Sequence, residues 1–366
     1  MVLGLSIIAL GLLGFIPAAL LQEFWIFLVA QFVIGSGLTI LQTAANPYVV
    51  NVGPTKSAAA RIAIMGLLNK GAGILAPLLF TAWVLGGFSD INLATVNQMP
   101  AEQQQLQIES MAHQLISPYV GMAIALLVLA GGLSRISLPD LALLESPVND
   151  ESDALEDSAR HQTKRSVWQF PQLVLGAIAL FFYVGVEVIA GDTIGLYGAS
   201  IGVANATTLT SYTMGFMVLG YLLGLLCIPR FVSQANALRL SAVSGLVITI
   251  LLLFSSNEQT MLSQLLWGWS GIAVIPNSVT LIALLGLANA MVWPTLWPLA
   301  LADLGRFTPK GSAILIMGIA GGALMPIIYG QLAQASNNQQ AYWILLPGYL
   351  IIGFYAFYGH KMRIWS

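Results

Sequence analysis

The chain has 366 residues, of which 57% are hydrophobic and 8% charged, with a formal net charge of −2. Soluble domains carry about a quarter of their residues as charges, so this composition excludes an ordinary water-soluble fold, and no basic stripe points to a nucleic-acid partner. A lone cysteine, Cys227, excludes an intramolecular disulfide and a thiolate metal cluster.

About twenty apolar residues are needed to cross a bilayer as a helix, and the sequence supplies ten such segments, over 1–21, 24–50, 60–85, 116–137, 170–197, 205–229, 237–255, 271–303, 311–333 and 341–360. The first resembles a secretory leader, with Pro17-Ala18-Ala19 in the place of a cleavage site. It lacks a basic start and is long enough to span, so it reads as a membrane helix. The loop 86–115 carries Asp90, Glu102 and Glu109 but no Lys or Arg, and a short surface helix is predicted within 98–115. The loop 138–169, acidic first and basic last, reads as a cytoplasmic linker. It separates an incomplete four-helix bundle, 1–137, from a six-helix bundle, 170–366.

Lys56, Arg61, Arg135, Arg160, Lys164, Arg165, Arg230, Arg239, Arg306, Lys310, Lys361 and Arg363 all fall at alternate ends of this ladder. Loops bearing Lys and Arg stay on the cytoplasmic side, which places both termini there. Lys70 is the exception. It lies inside an apolar segment, where a charge is costly and points to function.

A faint internal echo suggests two related halves. Lys56-Ser57-Ala58 leads into Ile64-Met65-Gly66, and Lys310-Gly311-Ser312-Ala313 leads into Ile316-Met317-Gly318. Transporters are commonly built from such repeats. With equal halves, two helices would precede Met1, and the expectation is a fragment or a late-started reading frame.

Polar groups inside the segments must be satisfied within the protein or in a wet cavity. Gln42 and Asn46 share a helix face. Asn69 and Lys70 lie about 15 Å from the cytoplasmic end of their segment. The fifth segment carries Tyr183, Glu187 and Asp192, and the eighth carries Asn289, Trp293 and Trp297 at four-residue spacing, with Pro294 and Pro298 beside them. Amides that donate and accept, with an aromatic face and one or two charges, suit a sugar. The competing readings are interfacial anchors for the Trp residues, interhelical glue for Gln42 and Asn46, and a structural ion pair for Lys70, with Glu187 as its most obvious counter-charge. Asp303 is expected to form a gate or turn ion pair near Arg306. Gly198-Ala199-Ser200-Ile201-Gly202 has nucleophile-elbow spacing but follows a membrane helix rather than a strand. Gly220 and Gly224 read as a close-packing pair. No set of catalytic residues or metal ligands is visible, and the protein is not read as an enzyme.

LQTAANPYVV (41–50), GPTKSAAARIAIMGLLNKGAGILAP (53–77), YVGVEVIAGD (183–192) and ANAMVWPTLWPLALADLGRFTPKGSAILIMGIAGGALMP (288–326) resemble the fucose–galactose–glucose/proton symporter family of the major facilitator superfamily. Asn69-Lys70 and the YVGVE run resemble its glucose/galactose or N-acetylglucosamine branch. The resemblance covers essentially the whole chain. It implies an all-α membrane protein of the major facilitator fold, with ten of an expected twelve helices present, in the bacterial inner membrane and as a monomer. The function it implies is cation-coupled transport of a hexose by alternating access, with N-acetylglucosamine as the alternative substrate. A non-transporting sugar sensor or an inactive fragment stands as the other alternative. Gln42 falls where the family's fourth helix carries a titratable Glu, which puts coupling by that route in doubt. The expected substrate residues are Gln42, Asn46, Asn69, Lys70, Glu187, Asn289 and Trp293. Glu187 is also the coupling candidate, for H+ or Na+, and no cofactor is implied.

Overall fold

Long apolar runs with few breakers fold as helices in a bilayer because every backbone polar group must be satisfied within its own segment. A computed structural model describes residues 1–80, 100–136, 166–203, 206–228 and 230–365. Asp90, Arg160, Lys164, Arg165 and most of the predicted linker lie outside the described residues. Among the described residues there are thirteen α-helices and no strand. They are α1 (Val2–Leu21), α2 (Phe24–Asn51), α3 (Ala58–Phe80), α4 (Ala101–Ser134), α5 (Pro171–Ser200), α6 (Leu209–Cys227) and α7 (Gln234–Phe254). They continue with α8 (Met261–Trp267), α9 (Asn277–Ala290), α10 (Val292–Leu301), α11 (Thr308–Met317), α12 (Gly321–Ala335) and α13 (Leu345–Phe357). These build ten segments long and apolar enough to cross a membrane.

Three boundaries differ from the sequence-based expectation. The surface helix predicted within 98–115 is not separate: α4 runs unbroken from Ala101 to Ser134, through Pro118. The eighth segment is interrupted at Met291, which separates α9 from α10. Pro294 lacks an N–H and crowds the carbonyl four residues back, at Ala290, which accounts for the break. The ninth is interrupted by a 3-10 turn at Gly318–Ala320. There α11 and α12 close on α5 so tightly that a Cβ on Gly321 would collide with the Phe181 backbone.

The chain forms two compact units, Met1–Ala45 with Gly73–Asp140, and Asn46–Ala72 with Leu141–Ser366. In the first, α1 packs along α4, and the Phe15 ring stacks on Tyr119 with centroids 4.4 Å apart and planes at 5°. Gly4 and Gly37 bring α1 and α2 to near backbone contact.

In the second unit α5 is the central helix, packed by α6, α9, α10, α12 and α13. The stretch Asn46–Ala72 groups with these helices, whereas the sequence bundle 1–137 would hold it with the N-terminal ones. Its contacts explain this. A side chain at Gly66 would run into the Tyr221 ring, and Gln234 Nε2 donates to the carbonyls of Thr55 and Lys56 at 2.8 and 3.1 Å. On α6, Gly220 meets Ala290 and Leu287 and Gly224 meets Met291, so this pair does seat one helix on another.

Arg61 fixes the turn between α2 and α3. Its Nε donates to Val49 O at 2.8 Å, Nη2 to Val50 O and Gly53 O at 2.5 and 3.2 Å, and Nη1 to Pro54 O and Ser57 Oγ at 3.0 and 2.7 Å. Terminal helix carbonyls have no partner within the helix, and the planar guanidinium fork serves several at once. An ammonium cannot reproduce that geometry. Arg61→Lys is therefore expected to cost about 1.5–3 kcal/mol, the loss of two or three net hydrogen bonds. Thermal unfolding of the purified variant in detergent measures this.

Candidate functional site

The site is built on the middle of α5 and on the stretch of α3 beside it. Helical spacing puts Tyr183 and Glu187 on one face of α5, one turn apart. Glu187 lies sixteen residues beyond Pro171, about 24 Å along a helix of about 45 Å, near mid-span. Lys70 Nζ donates to Glu187 Oε1 at 2.5 Å, and the two side chains are only 18% and 16% exposed. The intramembrane cation and the carboxylate proposed for it on charge alone do meet. In this setting the Coulombic gain is large, and so is the penalty for leaving either partner alone.

An aromatic wall adjoins the pair. Tyr183 is fully buried, with its hydroxyl beside the Glu187 carboxylate and the Tyr221 hydroxyl. Its ring lies 6.3 Å from that of half-buried Trp293, which lies 5.6 Å from that of Trp297. Trp297 is fully buried, so the stripe read from the sequence divides into a structural ring, Trp297, and an accessible one, Trp293. That burial rules out an interfacial anchor for Trp297.

Asn289 closes α9 just before the break and is fully buried. Its Oδ1 accepts from the Tyr349 hydroxyl at 3.0 Å, while Nδ2 has no protein partner. Asn46 is 2% exposed, and its Nδ2 also lacks a partner. Buried donors in a membrane interior require acceptors, and both amides offer one to a hydroxyl-bearing ligand.

Gln42 and Asn69 stand differently. Gln42 belongs to the first compact unit, one turn before Asn46 along α2, with a buried, unpartnered Oε1. Asn69 is exposed and makes no hydrogen bond among the described residues. Neighbours in a helix sequence point about 100° apart, so adjacency to Lys70 does not bring Asn69 to the carboxylate. Asp303 is held by Arg363, whose Nε donates to Oδ2 at 2.7 Å. Asp303 thus forms a turn ion pair, and it sits in the left-handed region at φ 59°.

Sequence reasoning missed the roles of Tyr221 and Tyr349. Both touch the site through helix packing, which leaves no local pattern. Tyr183 was readable, since it lies four residues before Glu187.

No family model matches the chain. A glucose/galactose transporter of Brucella abortus is 32% identical over 365 residues, covering 98% of this chain and 78% of that protein. The chain belongs to the fucose–galactose–glucose/proton symporter family of the major facilitator superfamily. A putative glucose/galactose transporter of Helicobacter pylori is 28% identical over 373 residues, 99% of this chain and 81% of that one. The L-fucose–proton symporter of Escherichia coli is 28% identical over 346 residues, 92% of this chain and 72% of that one. Among solved structures, the major facilitator transporter FucP in its outward conformation aligns with a TM-score of 0.78 at 22% identity, over 97% of this chain and 81% of that one. The fold of this family member is thus that of the major facilitator superfamily, as its sequence motifs implied.

Proposed function

We propose that the protein carries a hexose, glucose or galactose, across the bacterial inner membrane by alternating access, driven by H+ or Na+. The observation that carries this reading is the Lys70–Glu187 pair, buried at mid-span with the Tyr183 hydroxyl beside it and the Trp293 ring next to that of Tyr183. A bilayer-buried charge pair is costly to keep. An aromatic wall beside such a pair, in a protein that also keeps unpartnered buried amide donors on Asn46 and Asn289, supplies groups that a polyhydroxylated ligand needs. The names of the family relatives point to the same class of substrate.

In this reading Trp293 stacks on the C–H face of the ring, and the free Nδ2 atoms of Asn46 and Asn289 donate to hydroxyls. Lys70 and Glu187 donate to and accept from hydroxyls, and Glu187 also receives the coupling ion. The moving bodies are the sequence bundles 1–137 and 170–366, joined through 138–169, with both termini cytoplasmic.

The test is uptake of labelled glucose and galactose by cells stripped of their own hexose carriers and expressing this chain. Saturable uptake of either sugar, abolished by collapsing the ion gradients, is the expected result. Trp293→Ala should raise the half-saturating sugar concentration by roughly 10–30-fold, as removal of a stacked aromatic anchor does. Uptake indistinguishable from that of empty cells would refute the assignment.

A further inference from the structure

A polar cavity of about 410 Å3 lies where α5, α7 and α12 end, away from the turns that bear Arg230, Arg306 and Lys310. Its polar lining is Tyr197, Ser200, Asn257, Asn337, Asn338 and Gln339, and the half-buried apolar side chains of Ile201 and Ala333 complete it. Ser200 lies thirteen residues beyond Glu187 on α5, about 20 Å along the axis, so the cavity is separate from the mid-span pair.

Hydrogen bonds within the protein fix what its polar groups can still do. Tyr197, only 1% exposed, donates its hydroxyl to Asn257 Oδ1 at 2.8 Å, which leaves Nδ2 to donate. The Gln340 N–H donates to Asn337 Oδ1 at 2.8 Å, with the same consequence. Gln339 Nε2 donates to the carbonyls of Leu252 and Ser255 at 2.8 and 2.9 Å, so Oε1 is left to accept. Ser200 Oγ donates to Tyr197 O at 2.7 Å and keeps its lone pairs. Capping of helix ends accounts for several of these bonds, but not for Asn338. Its backbone carbonyl accepts from the Tyr329 hydroxyl at 3.1 Å, while its side-chain amide lines the cavity with no hydrogen bond among the described residues. The rings of Tyr197 and Tyr329 both pack on that of Tyr342, with centroids 5.8 and 4.9 Å away, so the anchors of Asn257 and Asn338 share one aromatic support.

The lining thus offers both donors and acceptors, and none of its side chains is charged. A charged ligand would find no counter-charge in it and would lose hydration without compensation. A hydroxyl both donates and accepts, and a ring that carries several presents a C–H face to Ile201 and Ala333. We propose that this cavity is a second sugar site, which holds the hexose at the outer face before it reaches the middle of the membrane. Its use in transport rests on the reading above, whereas its capacity to bind sugar does not.

The site is tested by protection of a reporter thiol. Cys227, the single cysteine, is replaced by Ala, and Ser200→Cys is introduced, or Ser270→Cys as the reference. Ser270 is exposed in the turn after α8 and does not line the cavity. Alkylation of the purified protein by a maleimide is timed with and without glucose or galactose at about 50 mM. The sugar should slow labelling of Ser200→Cys at least about twofold, as a site with a millimolar Kd would, and leave Ser270→Cys unchanged. Asn257→Ala and Asn338→Ala should each raise the half-protecting concentration about 2–10-fold, the loss of one net hydrogen bond. Trp293→Ala, which weakens the mid-span site, should leave that concentration unchanged. Unslowed labelling, or equal slowing at both cysteines, would overturn the proposal. So would protection that Trp293→Ala weakens and both asparagine changes leave intact, since sugar would then act from the mid-span site. Protection at Ser200→Cys in a protein that exchanges no sugar would keep the site and remove the transporter reading.

Discussion

Lys70→Met is expected to destabilise the protein by about 3–5 kcal/mol, the usual consequence of removing one member of a buried ion pair. Lys70 and Glu187 are each less than one-fifth exposed, and their contact at 2.5 Å is the one described bond that ties α3 to α5 through charge. Methionine matches the length of the lysine stem, so packing is largely kept and the loss reports on the orphaned carboxylate. The double variant Lys70→Met with Glu187→Gln should regain most of the lost stability, because replacing both charges removes the orphan. Unfolding in detergent, followed by tryptophan fluorescence, measures both. A double variant as unstable as Lys70→Met would show that the lysine stem matters through shape rather than charge.

Glu187→Gln should separate two transport activities. Glutamine keeps the size of the side chain and its capacity to accept from hydroxyls, but it cannot take a proton or neutralise a cation. Exchange of labelled for unlabelled sugar needs only binding and the conformational change. Accumulation against a gradient also needs coupling. The variant should therefore bring internal sugar only to the external concentration while exchange persists at a substantial rate. Equal loss of both activities would reject the coupling role and leave Glu187 a binding or folding residue.

Much of this architecture is legible in the chain because span length and polarity are local properties. The helix breaks are less so. Pro294 marks the interruption of the eighth segment, yet a proline within a membrane helix is tolerated often enough that its presence alone did not place the break at Met291. The pairing of Lys70 with Glu187 could be anticipated because few charges lie inside the spans, and an intramembrane cation needs one of them. The grip of Asn289 on Tyr349 could not, because it depends on how α9 packs against α13. Arg61 reads in the sequence as one more cytoplasmic charge, and only the folded turn shows it collecting five hydrogen bonds. Asn69, next to Lys70 in the sequence, is exposed and turned about 100° from it around the helix, so its role does not follow from that adjacency.

The most direct measurement is counterflow. Purified protein in vesicles preloaded with unlabelled glucose or galactose is diluted into a trace of the labelled sugar, with no ion gradient present. The account predicts a transient rise of internal label above its external concentration, absent from protein-free vesicles and strongly reduced by Trp293→Ala. Vesicles that contain folded protein and bind sugar but show no such rise would contradict the account and leave a membrane protein that binds sugar without carrying it.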